Sequence, residues 1–218
     1  ECPGRRESEN MKKQVLVAAA AALLAAGSAI AASPTYTYSV APSGSYPDTG
    51  GTELTDGQIG QAGWQNLTSR WVGWDFKPTV HIDFDFGSLH NVTQVSVGST
   101  QDSTFGLIAL PNVTVSSWNG SSWVQQGQLL TAFNVANDKS STSTDPHAWL
   151  TVSGLNFDSQ LVRVTLDANG QGAPNNQKWT FADEVQFQVT AVPEPSAYAL
   201  ALAGLGLLGV VARRRRGG

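Results

Sequence analysis

Thr79-Val80-His81-Ile82-Asp83-Phe84-Asp85-Phe86 alternates without a break: Val80, Ile82, Phe84 and Phe86 fall on one side, His81, Asp83 and Asp85 on the other. A period of two, carried by β-branched and aromatic types, predicts a strand with one face on a core and one on water. Outward from it the same signal returns in Val92–Val97, Asn112–Ser117, Ala148–Val152, Leu161–Leu166 and Glu184–Val189. Between Trp118 and Trp123, Asn119-Gly120 is a favoured turn pair, so these residues read as a hairpin. Short strands separated by Gly, Asn, Asp and Ser predict an all-β, antiparallel sandwich. No convincing amphipathic helix and no internal repeat is visible.

Composition agrees. Only 14% of the 218 residues are charged, and the chain holds 22 Gly and 7 Trp, which excludes a helical bundle or coiled coil. The formal net charge is −4, and residues 33–190 alone carry five basic against thirteen acidic side chains, a net −8. That acidity disfavours nucleic acid and anionic membranes as partners, but not cations or neutral sugars. The single Cys, Cys2, precedes the first Met, so neither a disulfide framework nor a Cys-based metal site is open to the chain.

The two ends read as addresses. Residues 1–10 precede Met11 and read as an upstream over-read of the gene, with a short disordered leader as the alternative. From Met11 come Lys12-Lys13, an apolar run Val15–Ala26, and small residues at Ala29 and Ala31. This is the pattern of a secretory signal peptide over 11–31, cut by signal peptidase near Ala32. At the other end, sixteen uncharged residues (197–212) precede Arg213, Arg214, Arg215 and Arg216. As a helix they would reach about 24 Å, enough for a single transmembrane span with local thinning and snorkelling arginines. The Arg cluster would keep the C-terminus in the cytoplasm and the preceding body outside.

Val192-Pro193-Glu194-Pro195-Ser196, the short apolar helix and the Arg cluster together resemble the PEP-CTERM sorting signal, over about 192–216. The resemblance implies a Gram-negative, exopolysaccharide-making host. It implies an exosortase that cleaves near the Pro-Glu-Pro box, so inner-membrane anchoring is transient; a permanent anchor is the alternative. The prolines hold the box extended, where a protease can grip it.

The body also carries a resemblance. Tyr46–Gly57, with its Leu54-Thr55-Asp56-Gly57 turn, is followed by Trp71-Val72-Gly73-Trp74 and by Asp83-Phe84-Asp85-Phe86-Gly87. Val92–Val97, Leu107–Pro111 and Asp183–Phe187 follow in order. The series is similar to a discoidin-like domain (factor V/VIII type C, or galactose-binding-like), and implies an eight-stranded jelly roll over 33–190. Many members bind carbohydrate through loops at one end. In the carbohydrate-binding members a structural Ca²⁺ ties the Gly-rich loop to the last strand. Carried over, this gives Asp56 and Glu184 as side-chain ligands, with Asp48 and Thr52 in addition, the latter through its carbonyl. Calcium's preference for mixed carboxylate and carbonyl oxygens suits such a loop. The plainer alternative is that Asp56 caps the turn before Gly57 and Glu184 faces solvent.

Sugar recognition needs a flat aromatic face beside hydroxyl-bonding groups. Trp64, Arg70, His147, Trp149 and Asn175, in or near loops and strand ends, are the candidates. At least four of the seven Trp are expected in the core, Trp74 and Trp179 among them. His81, Asp83 and Asp85 share a strand face, which is also what any solvated strand looks like. No nucleophile elbow, zinc-protease motif or Cys nucleophile is present, so no catalytic residue is assigned. The expectation is an exported, non-enzymatic carbohydrate-binding module, sorted by exosortase to the envelope or exopolysaccharide matrix. A structural matrix or adhesion protein is the alternative, and a polysaccharide hydrolase the third.

Overall fold

The computed structural model describes residues 33–60, 70–75, 77, 79–103, 108–139, 147–168, 179–192, 202–206 and 213. The leader, the signal-peptide segment, Trp64, Asn175, Pro193–Ser196 and Arg214–Arg216 lie outside the described residues. So does most of the expected membrane helix. The chain divides into two units, 31–189 and a unit formed by 1–30 with 190–218. In the second, residues 202–206 are helical with Leu202 and Leu205 exposed. No helix among the described residues is long and apolar enough to cross a membrane.

The body is an antiparallel β-sandwich. Its strands are β1 (Thr35–Tyr38), β2 (Val72–Asp75), β3 (Thr79–Ser99), β4 (Asn112–Trp118), β5 (Trp123–Leu129), β6 (Ala148–Val152), β7 (Phe157–Asp167), β8 (Trp179–Ala182) and β9 (Val185–Ala191). β3 organises the fold. Its first half lies between β1 and β7 in the order β1-β3-β7-β4-β5, and β6 and β9 also pair with it. β6 takes the second half, from Val95↔Val152 to Ser99↔Ala148. The strands read as Thr79–Phe86 and Val92–Val97 are thus one strand of 21 residues, with a register shift between Asp85 and His90. Gly87, at φ 72°, occupies the left-handed region inside that irregularity, a conformation that costs glycine little.

The alternation of Val80, Ile82 and Phe84 carries through: all three are fully buried, and so are Val162, Val164 and Leu166 of β7 and Val113 and Val115 of β4. The second half of β3 adds Val92, Val95 and Val97 to the same core. Phe187 of β9 meets Phe84 at 4.9 Å between ring centroids and packs against this core. Trp74 of β2 is buried outright and donates its indole N–H to Val40 O at 3.1 Å.

The expected count of core tryptophans is corrected. Of the six described, Trp71 and Trp74 are buried, Trp123 and Trp179 half-buried, and Trp118 and Trp149 exposed. Valine, leucine and isoleucine supply most of the main core beside Trp74, and Trp118 and Trp149 remain at the surface. Trp179 instead stacks on Phe181, 5.4 Å away and nearly parallel, in a smaller cluster with Tyr46, Trp71 and Ile108.

Candidate functional site

The loop 48–57 is held by Asp48. One carboxylate oxygen accepts the hydroxyls of Tyr36 (2.8 Å) and Tyr38 (2.6 Å). The other accepts the backbone N–H groups of Thr52 (3.1 Å) and Glu53 (3.2 Å). Four donors fill the four lone-pair directions of a carboxylate, so Asp48 acts as the fastener between β1 and the loop. Burial, with the Asp48 bond and charge adding to it, raises both tyrosine pKa values well above the ordinary range. Thr52 O accepts the N–H of Thr55 at 2.9 Å, closing a tight turn.

Asp56 and Glu184 come together at the end of this loop. Asp56 accepts from Gln58 N–H at 2.8 Å, the turn cap anticipated for it. Glu184 is buried rather than solvent-facing, and accepts one backbone N–H, from Gly57 at 3.2 Å. Burial first, and then the charges of Asp56 and Asp183, push the Glu184 carboxyl up to about 8, against the opposing Gly57 bond. A carboxylate among carboxylates, with a single N–H for compensation, is what a hard cation would relieve. No group of three or more His, Cys, Asp or Glu side chains converges on a metal position among the described residues.

A second arrangement joins three of the candidate sugar residues' neighbourhoods. His147, just ahead of β6, is buried, and its Nδ1 lies 2.5 Å from Asp183 Oδ2. That oxygen also accepts Gly60 N–H at 2.7 Å. Burial raises the Asp183 pKa, and the His147 bond and charge oppose it. Trp149, two residues on, sets its ring edge-to-face against His147 at 4.4 Å and remains 40% exposed. Trp71 lies 6.5 Å from the imidazole on another side. Arg70, next to Trp71, is the one described non-glycine residue with positive φ, at 74°. That left-handed conformation is uncommon for a residue with a side chain. Asp183 was part of the strand motif in the sequence, and its partnership with a histidine 36 positions away had no sequence signal.

The strand face of His81, Asp83 and Asp85 is structural. Arg163 of β7 forks onto Asp83 through Nε (2.6 Å) and Nη2 (2.8 Å), and its guanidinium lies 4.3 Å from the Trp123 ring centroid. His81 Nδ1 shares a 2.8 Å bond with Thr165 Oγ1, and Asp85 accepts from Gln160 at 2.9 Å. Each of the three polar side chains meets a cross-strand neighbour on β7.

Similar folds occur among solved structures. The body resembles CpGH89CBM32-6 of Clostridium perfringens at 10% identity, covering 71% of this chain and 93% of that one, with a TM-score of 0.41. It resembles chitosan-binding module 1 of a Paenibacillus chitosanase/glucanase at 14%, covering 72% and 96%, with a TM-score of 0.42. It also resembles the C-terminal domain of a Bacteroides fragilis chitobiase at 14%, covering 73% and 96%, with a TM-score of 0.45. These are distant likenesses of fold, and the sandwich rests on its own strand pairing. No curated protein matches the sequence. Residues 191–216 match the PEP-CTERM protein-sorting motif, and the chain therefore carries the signal by which exosortase recognises exported proteins.

Proposed function

We propose that the chain is an exported, non-enzymatic carbohydrate-binding module that exosortase delivers to the envelope or exopolysaccharide matrix of a Gram-negative bacterium. The supporting observation is Trp149, an exposed indole held against a buried histidine whose own ring is pinned by Asp183. Rigid aromatic faces left in water beside fixed polar groups suit the C–H face of a neutral sugar ring and its hydroxyls. The net −8 of residues 33–190 leaves uncharged glycans as the better substrate class than polyanions. A glycan array and the producer's own exopolysaccharide, probed with the full chain, test the proposal. Binding to neither by a folded chain would leave the matrix-protein reading; release of reducing ends would replace both with a hydrolase.

Calcium belongs to this reading as a structural ion. Asp56 and Glu184 would supply side-chain oxygens and Thr52 its carbonyl, with Asp48 holding the loop in shape. Bound there, the ion would offset negative charge and stiffen the loop. The pH dependence follows from Glu184. Its folded pKa is raised, so its contribution to stability is complete below its ordinary value of 4.5 and is lost as pH rises through about 8. Calcium is therefore expected to raise the Tm most above about pH 8 and least near pH 5. At 100-fold over its Kd the gain is about 2.7 kcal/mol, or roughly 5–10 °C. EDTA should reverse the rise, and Glu184→Gln should abolish it. An unchanged Tm at high pH with and without the ion would remove calcium from the account.

A further inference from the structure

Residues 103–137 contain no charged side chain, thirty-five consecutive positions in an otherwise acidic body. They include β4, the hairpin turn and β5, and β5 stands last in its strand order, paired with β4 alone among the described strands. Natural edge strands are guarded by charge, proline or a covering segment. β5 has no charge and no proline, and Val124, Gln125, Gln126 and Gln128 are exposed. Among the described residues its protection is a bulge: Ser116 pairs with Gln125 and Val115 with Gly127, so Gln126 is extra. The regular edge is therefore Trp123–Gln125.

The register fixes which backbone groups that edge offers. Asn119 N–H donates to Ser122 O at 3.1 Å. By antiparallel alternation, Trp118 and Trp123 then form a non-hydrogen-bonded pair, and Ser117 and Val124 a hydrogen-bonded one. Trp118 and Trp123 accordingly stand close, 5.3 Å between centroids. Val124 spends its N–H and C=O on β4, whereas Trp123 and Gln125 turn theirs outward.

We propose that β5 is a self-pairing edge, joining antiparallel to β5 of a second copy about a two-fold axis at Val124. Trp123 of each copy then lies opposite Gln125 of the other, and the four outward N–H groups meet the four outward carbonyls. Val124 faces its own mate in a non-hydrogen-bonded pair, the type with the shorter Cα separation. The pairing is isologous, as a closed dimer requires. Charge selects the occupant. Two bodies of net −8 repel over most of their surfaces, and the 103–137 stretch lets them meet through residues that carry no charge, the Asp83 carboxylate near Trp123 being paired with Arg163 of its own copy. Val124, 40% exposed, adds apolar contact on one face and the indole of Trp123 on the other. Three residues a side is a small interface, so association is weak in dilute solution and strengthens where many copies share a membrane or matrix.

Cysteine cross-linking in the full chain tests this, with Cys2→Ser removing the native thiol. Val124→Cys places two thiols across the axis at a Cα spacing that suits a disulfide. Ser121→Cys, on the same hairpin, lies six strand residues or roughly 20 Å from its mate, and reports random collision. Oxidation of membranes from exporting cells is expected to give disulfide dimer at Val124→Cys about tenfold above Ser121→Cys. Adding Gln125→Pro, which removes an outward N–H and no β4 bond, should bring the yield down to the Ser121→Cys level. Equal yields at both positions, dimer at neither, or cross-linking of Val124→Cys to a different protein would overturn the proposal.

Discussion

Asp183→Ala is expected to destabilise the body by about 2–5 kcal/mol, read as a lowered midpoint in denaturant. The carboxylate is wholly buried and receives two donors, Gly60 N–H and His147 Nδ1–H. Truncation would remove the acceptor that both donors use, at roughly 1–3 kcal/mol each. Asp183→Asn keeps an acceptor oxygen and should cost less. A loss under about 1 kcal/mol for Asp183→Ala would mean that the pair does not hold this end of the sandwich together.

Gly98→Ala should be nearly as damaging, for the opposite reason. A methyl group at Gly98 would overlap Asp183 Oδ1 and the His147 imidazole. Neither side chain can yield cheaply, because each is pinned by the other. Overpacking of this kind costs about 1–3 kcal/mol. The two substitutions should not add: on the Asp183→Ala background much of the clash is gone, so Gly98→Ala should cost markedly less there. Strict additivity would show that the crowding lies elsewhere.

Both predictions concern residues whose partnership the sequence conceals. Strand β3 was legible because alternation is local: Val80, Ile82 and Phe84 announce their face within five positions. Its continuity was not, since Gly87-Ser88 reads as a turn and only the pairing with β1, β6 and β7 shows the chain passing through. β1, β2 and β8 span four residues each, too few for a period to register. His147 and Trp149 could be named as residue types suited to sugar; their edge-to-face contact came from the structure. The Asp183 partner depends on β3 carrying Gly98 between them, which is tertiary information. Asp48 could be named from the resemblance, but its bonds to two tyrosines on β1 are tertiary information.

The tail is the opposite case. Its message lies in composition and order, Pro-Glu-Pro, apolar run and arginines, so the motif is legible with no fold at all.

The proposed glycan-binding surface is the one that carries Trp149, and one comparison addresses it directly. Affinity of the full chain for the producer's exopolysaccharide is measured beside Trp149→Ala and Trp118→Ala, with a thermal melt of each. Trp118, exposed on the hairpin, serves as the control indole. The prediction is about a tenfold loss for Trp149→Ala, the equivalent of roughly 1.4 kcal/mol of aromatic contact, with a single cooperative melt retained at a somewhat lower Tm and with Trp118→Ala binding as the parent does. Equal affinity for all three chains, or a loss confined to Trp118→Ala, would contradict it.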